Sequence, residues 1–425
     1  MVKFKINSIH IEGFKSAKRK VDLVLAETQT STIYGKNGCG KTTLLYILSA
    51  VLGKNEQILK ENKVETVTLK CQKDDKDFVL KVKAIKKEDT IESYAFVGYE
   101  NFEEKSLFIT TDRGLNTPTR RKISIDDVMK VLKELSESDS GFSVSMNSSI
   151  SNAEMFVNGL NSIKEVDDIE DIFKKENLLI DNITMNTVEK LMIRNYKEEK
   201  GFVLLLHTQI LFKVIDTLQN QQISDFPPEK IMGIYTKYEE YKNIVNRMIK
   251  VSHDELKNLS SNMKKLERDF LLIADSVKKG SFSIEKQVDI LISVRYMALL
   301  LKYIEEHRNG IFPNDIIKQV FEKYARNKEI HIDNENVHIK SLNDMHDLNL
   351  LSNGERQFLT FITILVSLGK DKSVILIDEP DISLDTDWQE NFVSIIETLC
   401  PNAQIIYTTH SPYISVNDTN MICNL

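Results

Sequence analysis

The spacing of apolar positions changes period along the chain, and each change marks a change of architecture. Phe4, Ile6, Ile9 and Ile11 alternate with polar neighbours as in a strand, residues 18–25 make a second, and 66–71 with 78–83 read as a hairpin pair. Residues 106–111 form one more strand, ending at Asp112-Arg113-Gly114. Past about 125 the period becomes helical. Residues 203–218 are apolar nearly all round, which predicts a helix packed on several sides.

Two later segments keep a narrower seam. Ile231, Ile234, Tyr238, Tyr241, Val245 and Met248 step by three and four, as do Leu256, Leu259, Met263, Leu266, Phe270 and Ile273. Pro227-Pro228 opens the first helix, Ser252 with Glu255 three residues on forms a capping box that starts a second, and Gly280 closes the region. The pattern predicts a short antiparallel coiled-coil hairpin; one long helix with a stutter, or a bundle using the same seams internally, are the alternatives. A helix to about 326 follows, then a hairpin over 329–333 and 337–340. The chain then returns to α/β texture, with a long helix, a buried apolar strand, a helix over 388–399 and a second apolar strand. Three regions result: a lobe over 1–124 with a parallel core and an antiparallel flank, a helical insertion over 125–325, and a second lobe over 326–425.

Composition narrows the class. The chain of 425 residues is 41% hydrophobic and 28% charged, as expected of a globular protein. It has no run of about eighteen apolar residues, so no membrane partner is expected. Met-Val-Lys-Phe-Lys-Ile-Asn reads as a strand and not a signal core, which predicts a cytoplasmic protein. Cys39, Cys71, Cys400 and Cys423 are scattered, suggesting neither a zinc site nor a disulfide framework. With 56 basic and 63 acidic residues the net charge is −7, so the chain as a whole is no polycation seeking nucleic acid. Arg120-Arg121-Lys122, with Arg113 nearby, is its densest basic cluster.

The candidate chemistry centres on Gly35-Lys36-Asn37-Gly38-Cys39-Gly40-Lys41-Thr42, which fits the phosphate-cradling pattern G-x-x-x-x-G-K-[ST] between a strand at 32–34 and a helix beginning at Thr43. Gly35, Gly38 and Gly40 let backbone N–H groups turn onto phosphate oxygens, and Asn37, Cys39 and Thr43 complete the cradle. Lys41 reaches the β- and γ-phosphates, and the Thr42 hydroxyl ligates Mg²⁺. Cys39 is read as a small residue filling a tight loop. In Val374-Ile375-Leu376-Ile377-Asp378-Glu379, four apolar residues precede two acids, as when a central parallel strand delivers carboxylates to phosphates. Asp378 is expected to hold Mg²⁺ through water, and catalytic Glu379 to orient or deprotonate the attacking water.

Leu351-Ser352-Asn353-Gly354-Glu355 opens an amphipathic helix, with Ser352 lying 22 residues before Val374, where that strand begins. Ser352 and Gly354 at a helix start form an anion site, and a chain that already has one cradle uses a second most economically on a neighbour's γ-phosphate. The alternative is a plain N-cap, for which Ser352 followed by Glu355 is ideal. Asp385 follows the acidic strand, and His410 follows 405–409, where a γ-phosphate sensor is wanted.

Together these motifs resemble ABC-class ATPases, in the branch that contains structural-maintenance-of-chromosomes (SMC) proteins, RecF-like repair ATPases and the overcoming-lysogenization-defect (OLD) proteins. Gly13-Phe14-Lys15-Ser16 resembles the end of that branch's N-terminal strand, which implies that Lys15 approaches the nucleotide. Asp378-Glu379-Pro380-Asp381-Ile382-Ser383-Leu384-Asp385, Trp388-Gln389 and Thr409-His410-Ser411-Pro412 resemble the ATPase subunits of the anti-phage systems PARIS and Septu. The resemblance implies an α/β ABC-ATPase head, a phosphate-loop parallel sheet with an antiparallel β flank, carrying a large helical insertion. It also implies slow ATP hydrolysis with Mg²⁺ at sites shared between two subunits. The glutamine of the branch has no counterpart at Asp112 or Arg113. The chain stops 15 residues after His410, so effector chemistry is expected from a nuclease on another chain, encoded nearby. A DNA-repair clamp, with DNA as partner, is the second reading, disfavoured by the acidic charge and short seams. A transporter ATPase is the third, disfavoured by the long insertion.

Overall fold

The computed structural model describes residues 3–110 except 37, 88, 89 and 101; 175–218 except 181 and 182; 226–253; 257–281; 287–306; 312–411 except 326, 334, 343, 382 and 383; 414; and 422–424. The chain divides into two compact units, one of 1–191, 323–326 and 347–425, the other of 192–322 and 327–346.

The first unit is built on a parallel sheet. In it β3 (Thr30–Tyr34), β7 (Ser106–Ile109), β8 (Asn177–Ile180), β12 (Val374–Asp378), β13 (Gln404–Thr409) and β14 (Ile422–Asn424) lie in the order β14-β3-β13-β12-β7-β8. Every residue of β7, β12 and β13 is buried, the continuous burial expected of parallel strands covered on both faces. Asp378 pairs with Thr408 and Thr409 with Tyr34, so the C-terminal ends of β12, β13 and β3 lie side by side. Helix α1 (Lys41–Leu52) leaves β3 through the glycine-rich loop and buries Leu44, Leu45, Ile47, Leu48 and Val51, and the short α2 (Glu56–Glu61) follows it.

A second, antiparallel sheet joins β1 (Phe4–Phe14), β2 (Ser16–Val24), β4 (Thr66–Lys73), β5 (Lys76–Lys87) and β6 (Thr90–Val97) in the order β2-β1-β4-β5-β6. Its inward residues Phe4, Ile6, Ile9, Ile11, Val67, Leu69 and Leu80 share one core with α1. A side chain stitches the two sheets together. Fully buried Gln404 of β13 accepts from the Ile6 N–H (2.8 Å) and donates from Nε2 to the Ile6 carbonyl (2.9 Å), serving the backbone of β1 as a neighbouring strand does. Gln404→Ala leaves both groups buried and unpaired, at roughly 1–3 kcal/mol each. Urea denaturation is expected to show a loss of about 3 kcal/mol; a loss near zero would contradict this role.

The second unit is a helical bundle. Helices α3 (Met185–Leu218), α4 (Pro228–His253), α5 (Lys257–Lys278) and α6 (Gln287–Glu306) close a single core with Val203, Ile210 and Val214, Ile231, Tyr238, Val245 and Met248, Met263 and Phe270, and Val294, Met297 and Leu301. Helices α4 and α5 run antiparallel: Ser260 Oγ donates to the Ile249 carbonyl at one end (3.3 Å), Tyr238 OH to Glu267 Oε1 midway (2.7 Å), and Lys278 Nζ lies 3.8 Å over the Tyr235 ring at the other. The hairpin reading of the two seams therefore holds, and the one-long-helix reading does not. The seams are also covered by α3 and α6, which is the bundle use of the same positions. Ser252 lies in the last turn of α4 and Glu255 outside the described residues, so the expected capping box is not described.

The division differs from the expected boundaries in two places. β8 at 177–180 belongs to the head sheet, where Asn177 Oδ1 accepts from the N–H and Oγ of Ser106 (3.0 and 2.8 Å), and the helical unit begins only inside α3. A four-residue strand within a helical stretch carries too little periodicity to be read. The hairpin of β9 (Lys328–Ile332) and β10 (Val337–Ser341), with β11 (Asp344–Asp347), groups with the bundle and not with the second lobe. Glu322 of α7 (Pro313–Tyr324) accepts from the Ile330 N–H there (2.8 Å).

Candidate functional site

The loop between β3 and α1 has the backbone its sequence requires. Gly38 and Gly40 sit at φ 79° and 107°, and Gly40 is the N-cap of α1. A Cβ on Gly40 would lie 2.6 Å from an Arg19 guanidinium nitrogen, the end of a flexible side chain that can shift, so it is the positive φ that calls for glycine there. Lys41 is buried. Its Nζ donates to the carbonyls of Gly35 (2.9 Å) and Lys36 (3.4 Å) and stands 2.7 Å from His410 Nε2.

The acidic pair arrives from β12. Asp378 and Glu379 are buried, and Thr408 organises both: its Oγ1 donates to Asp378 Oδ1 (2.6 Å) and accepts from the Glu379 N–H (3.1 Å). Glu379 holds φ 45°, a left-handed backbone that non-glycine residues adopt at a cost of order 1 kcal/mol. This turn directs the Glu379 carboxylate to His410, with Oε1 3.0 Å from Nε2.

Lys41, His410 and Glu379 thus meet at one ring nitrogen, which can accept from the ammonium or donate to the carboxylate but cannot do both. The following segment is braced from behind. Thr409 Oγ1 donates to Asp381 Oδ1 (2.8 Å), Ser411 Oγ donates to Gln389 Oε1 (2.6 Å), and Gln389 Nε2 donates to the Leu384 carbonyl (2.9 Å). Asp385 is exposed at the N-cap of α9 (Thr386–Leu399), with no side-chain cap bond.

Ser352 caps α8 (Asn353–Leu368). The Glu355 N–H donates to Ser352 Oγ (3.3 Å) while the Ser352 N–H donates to Glu355 Oε2 (2.9 Å), so the capping box is complete in this chain. Ser352 is exposed, and no hydrogen bond joins it or Gly354 to the chain's own phosphate loop among the described residues. The helix is set by its other face, where Phe358 stacks on Trp388 at 4.7 Å.

Lys15 is exposed at φ 56°, its N–H bonded to the Asn62 carbonyl (2.7 Å). The basic side chain that does touch the loop is one that the motif reading missed: Arg19 of β2 donates to the Cys39 carbonyl and stacks 4.3 Å over Phe14. Thr408 and Gln404 were missed too, because neither belongs to a spaced motif, whereas Gln389 belongs to the Trp388-Gln389 pair. Asn37, Asp112, Arg113, the Arg120–Lys122 cluster, Ser383 and Pro412 lie outside the described residues. Cys39 is half-buried beside this site, whereas burial pushes the Cys71 and Cys400 thiols up to about 12, leaving them inert packing.

The two halves of the site fall in two family models. The "ABC transporter" model matches residues 19–159, which carry the phosphate loop. The model "AAA domain, putative AbiEii toxin, Type IV TA system" matches 245–417, which carry Ser352, Asp378, Glu379 and His410. Both halves of the site match models of ATPase families: the chain is an ATPase similar to those of the ABC class.

Three relatives are similar to this ATPase. Over 98% of the chain and 72% of the relative it is 22% identical to a retron Vc95 probable ATPase of Vibrio cholerae serotype O1 biovar El Tor. Over 96% of the chain and 55% of the relative it is 22% identical to the endonuclease GajA of Bacillus cereus (strain HuB5-5). The Septu protein PtuA of Bacillus thuringiensis is 46% identical over 43 residues, 10% of the chain and 11% of that protein. Among solved structures, an SMC head domain with an extended coiled coil from Pyrococcus furiosus, bound to the C-terminal domain of ScpA, aligns over 99% of this chain and 95% of its own, with a TM-score of 0.41 and 13% identity. No helix among the described residues is long and apolar enough to cross a membrane.

Proposed function

We propose that this ATPase is the nucleotide switch of an anti-phage defence complex, whose two heads close on shared ATP and control an effector nuclease carried by a separate chain. The observation that carries the reading is the meeting of Lys41, Glu379 and His410 at one nitrogen. It assembles phosphate grip, water activation and γ-phosphate sensing from three adjacent strand ends. The Thr42 hydroxyl and the Asp378 carboxylate are hard oxygen donors that would hold Mg²⁺, which would supply neutralisation of the phosphate charge. Arg19 steadies the loop backbone at Cys39, and Lys15, in the turn between β1 and β2, is assigned as a further contact to the nucleotide.

In this reading Ser352 and Gly354 serve the other subunit. An exposed helix start with its cap already satisfied still offers first-turn N–H groups and a positive dipole end to an anion. The defence role rests on the retron ATPase and Septu protein among the relatives. A nuclease as the effector is supported by GajA, named an endonuclease.

Ser352→Asp tests the shared site. Aspartate is as good an N-cap as serine, so folding is expected to be unchanged, but its charge opposes a neighbour's γ-phosphate. Hydrolysis is expected to fall at least tenfold while each chain still binds ATP. Turnover at the wild-type rate would sink the shared site.

A further inference from the structure

Inside the helical unit a charged network occupies interior positions. Glu199 of α3 is 2% exposed; its Oε2 lies 3.4 Å from Arg247 Nη2 of α4, and its Oε1 accepts from the Asn314 N–H of α7 at 3.2 Å. Arg247 Nε donates to Asp315 Oδ2 at 2.9 Å, and its guanidinium lies 5.5 Å over the Phe312 ring. Fully buried Asn314 donates from Nδ2 to the Met192 carbonyl (2.8 Å) and accepts from Asn195 Nδ2 (3.4 Å), both residues of α3. Burial pushes the Glu199 carboxyl up to about 7 against the opposing pull of Arg247, and burial lowers the Lys318 ammonium one turn further along α7.

Burying such a pair contributes little net stability compared with apolar residues of the same volume; its best-attested use is to fix register. The position of the network says which register. The chain passes between the two units inside α3, at 191/192, and inside α7, at 322/323, and crosses twice more, at 326/327 and 346/347. Met192, Asn195 and Glu199 stand within about two turns of the first crossing, and Asn314, Asp315 and Lys318 within about two and a half turns of the second. Arg247 therefore holds together α3 and α7, the two helices inside which the chain crosses between the units.

We propose that Glu199, Arg247, Asn314 and Asp315 form a clamp that locks α3 to α7 and carries the nucleotide state of the head into the helical bundle. The inference rests on the ATP-switch reading and extends it, by assigning the transmitting element. These four are positioning residues, remote in sequence from the phosphate loop and the acidic strand.

The test is amide hydrogen exchange of the full chain with and without saturating Mg·ATP, in the wild type and in Arg247→Met. In the wild type, ATP is expected to slow exchange at least threefold both at 35–45 and at 241–249 with 313–322. In Arg247→Met the protection at 35–45 persists and that at 241–249 and 313–322 disappears. Equal protection of the bundle in the two proteins, or none in the wild type, overturns the clamp. If ATP leaves 35–45 unprotected in the wild type, the nucleotide reading falls and the clamp with it. Should Arg247→Met fail to fold, Asp315→Asn opens the clamp on its more exposed side while leaving the Glu199 pair, and the same loss of bundle protection is expected.

Discussion

Glu379→Gln binds ATP and does not turn it over. The carboxylate sits on β12 beside β13, buried, with its oxygen 3.0 Å from His410 Nε2, and general-base or water-orienting groups of this kind contribute about 10²–10⁴-fold. The amide keeps the shape and the backbone bond to Thr408 but cannot accept a proton from water. Phosphate release is therefore expected to fall at least about 100-fold, with ATP affinity equal to or tighter than that of the wild type, because the closed state no longer discharges. A variant that retains more than a tenth of the wild-type rate would remove Glu379 from the chemistry and leave its strained backbone unexplained.

Lys41→Ala has the opposite signature. The ammonium is held over the loop by the carbonyls of Gly35 and Lys36, so it is pre-positioned for phosphate before ATP arrives. Charge-assisted bonds to phosphate are worth about 1.5–3 kcal/mol each, and the loss of Lys41 is expected to weaken ATP binding roughly 100-fold as well as to abolish turnover. Titration with a fluorescent ATP analogue separates the two variants: Glu379→Gln saturates where the wild type does, while Lys41→Ala remains largely unbound. Wild-type affinity in Lys41→Ala would mean that the loop binds through its backbone alone.

What the sequence disclosed follows a physical rule. The phosphate loop, the acidic strand and the residue after β13 were legible because each combines a spacing with an element boundary, glycine at a turn, acids at a strand end, histidine past another. The antiparallel flank was legible for the same reason, since alternation with one wet face leaves a period of two. Arg19, Thr408 and Gln404 were not legible: each acts through a partner more than fifteen residues away, and no local pattern encodes such a partner. β8 was hidden by its length, and the grouping of β9–β11 with the bundle by the fact that a hairpin pattern fixes its own pairing and not what it packs against. The seams of α4 and α5 gave their pairing direction once the chain reversed between them, yet could not show that α3 and α6 would share the same positions.

The measurement that bears most directly on the shared nucleotide site is sedimentation of Glu379→Gln with saturating Mg·ATP, beside the same protein carrying Ser352→Asp. The first is expected to run as a dimer with one ATP per chain. The second is expected to run as a monomer that still holds one ATP per chain. A Glu379→Gln protein that stays monomeric, or a double variant that dimerises as well as the single one, would contradict a γ-phosphate held between subunits.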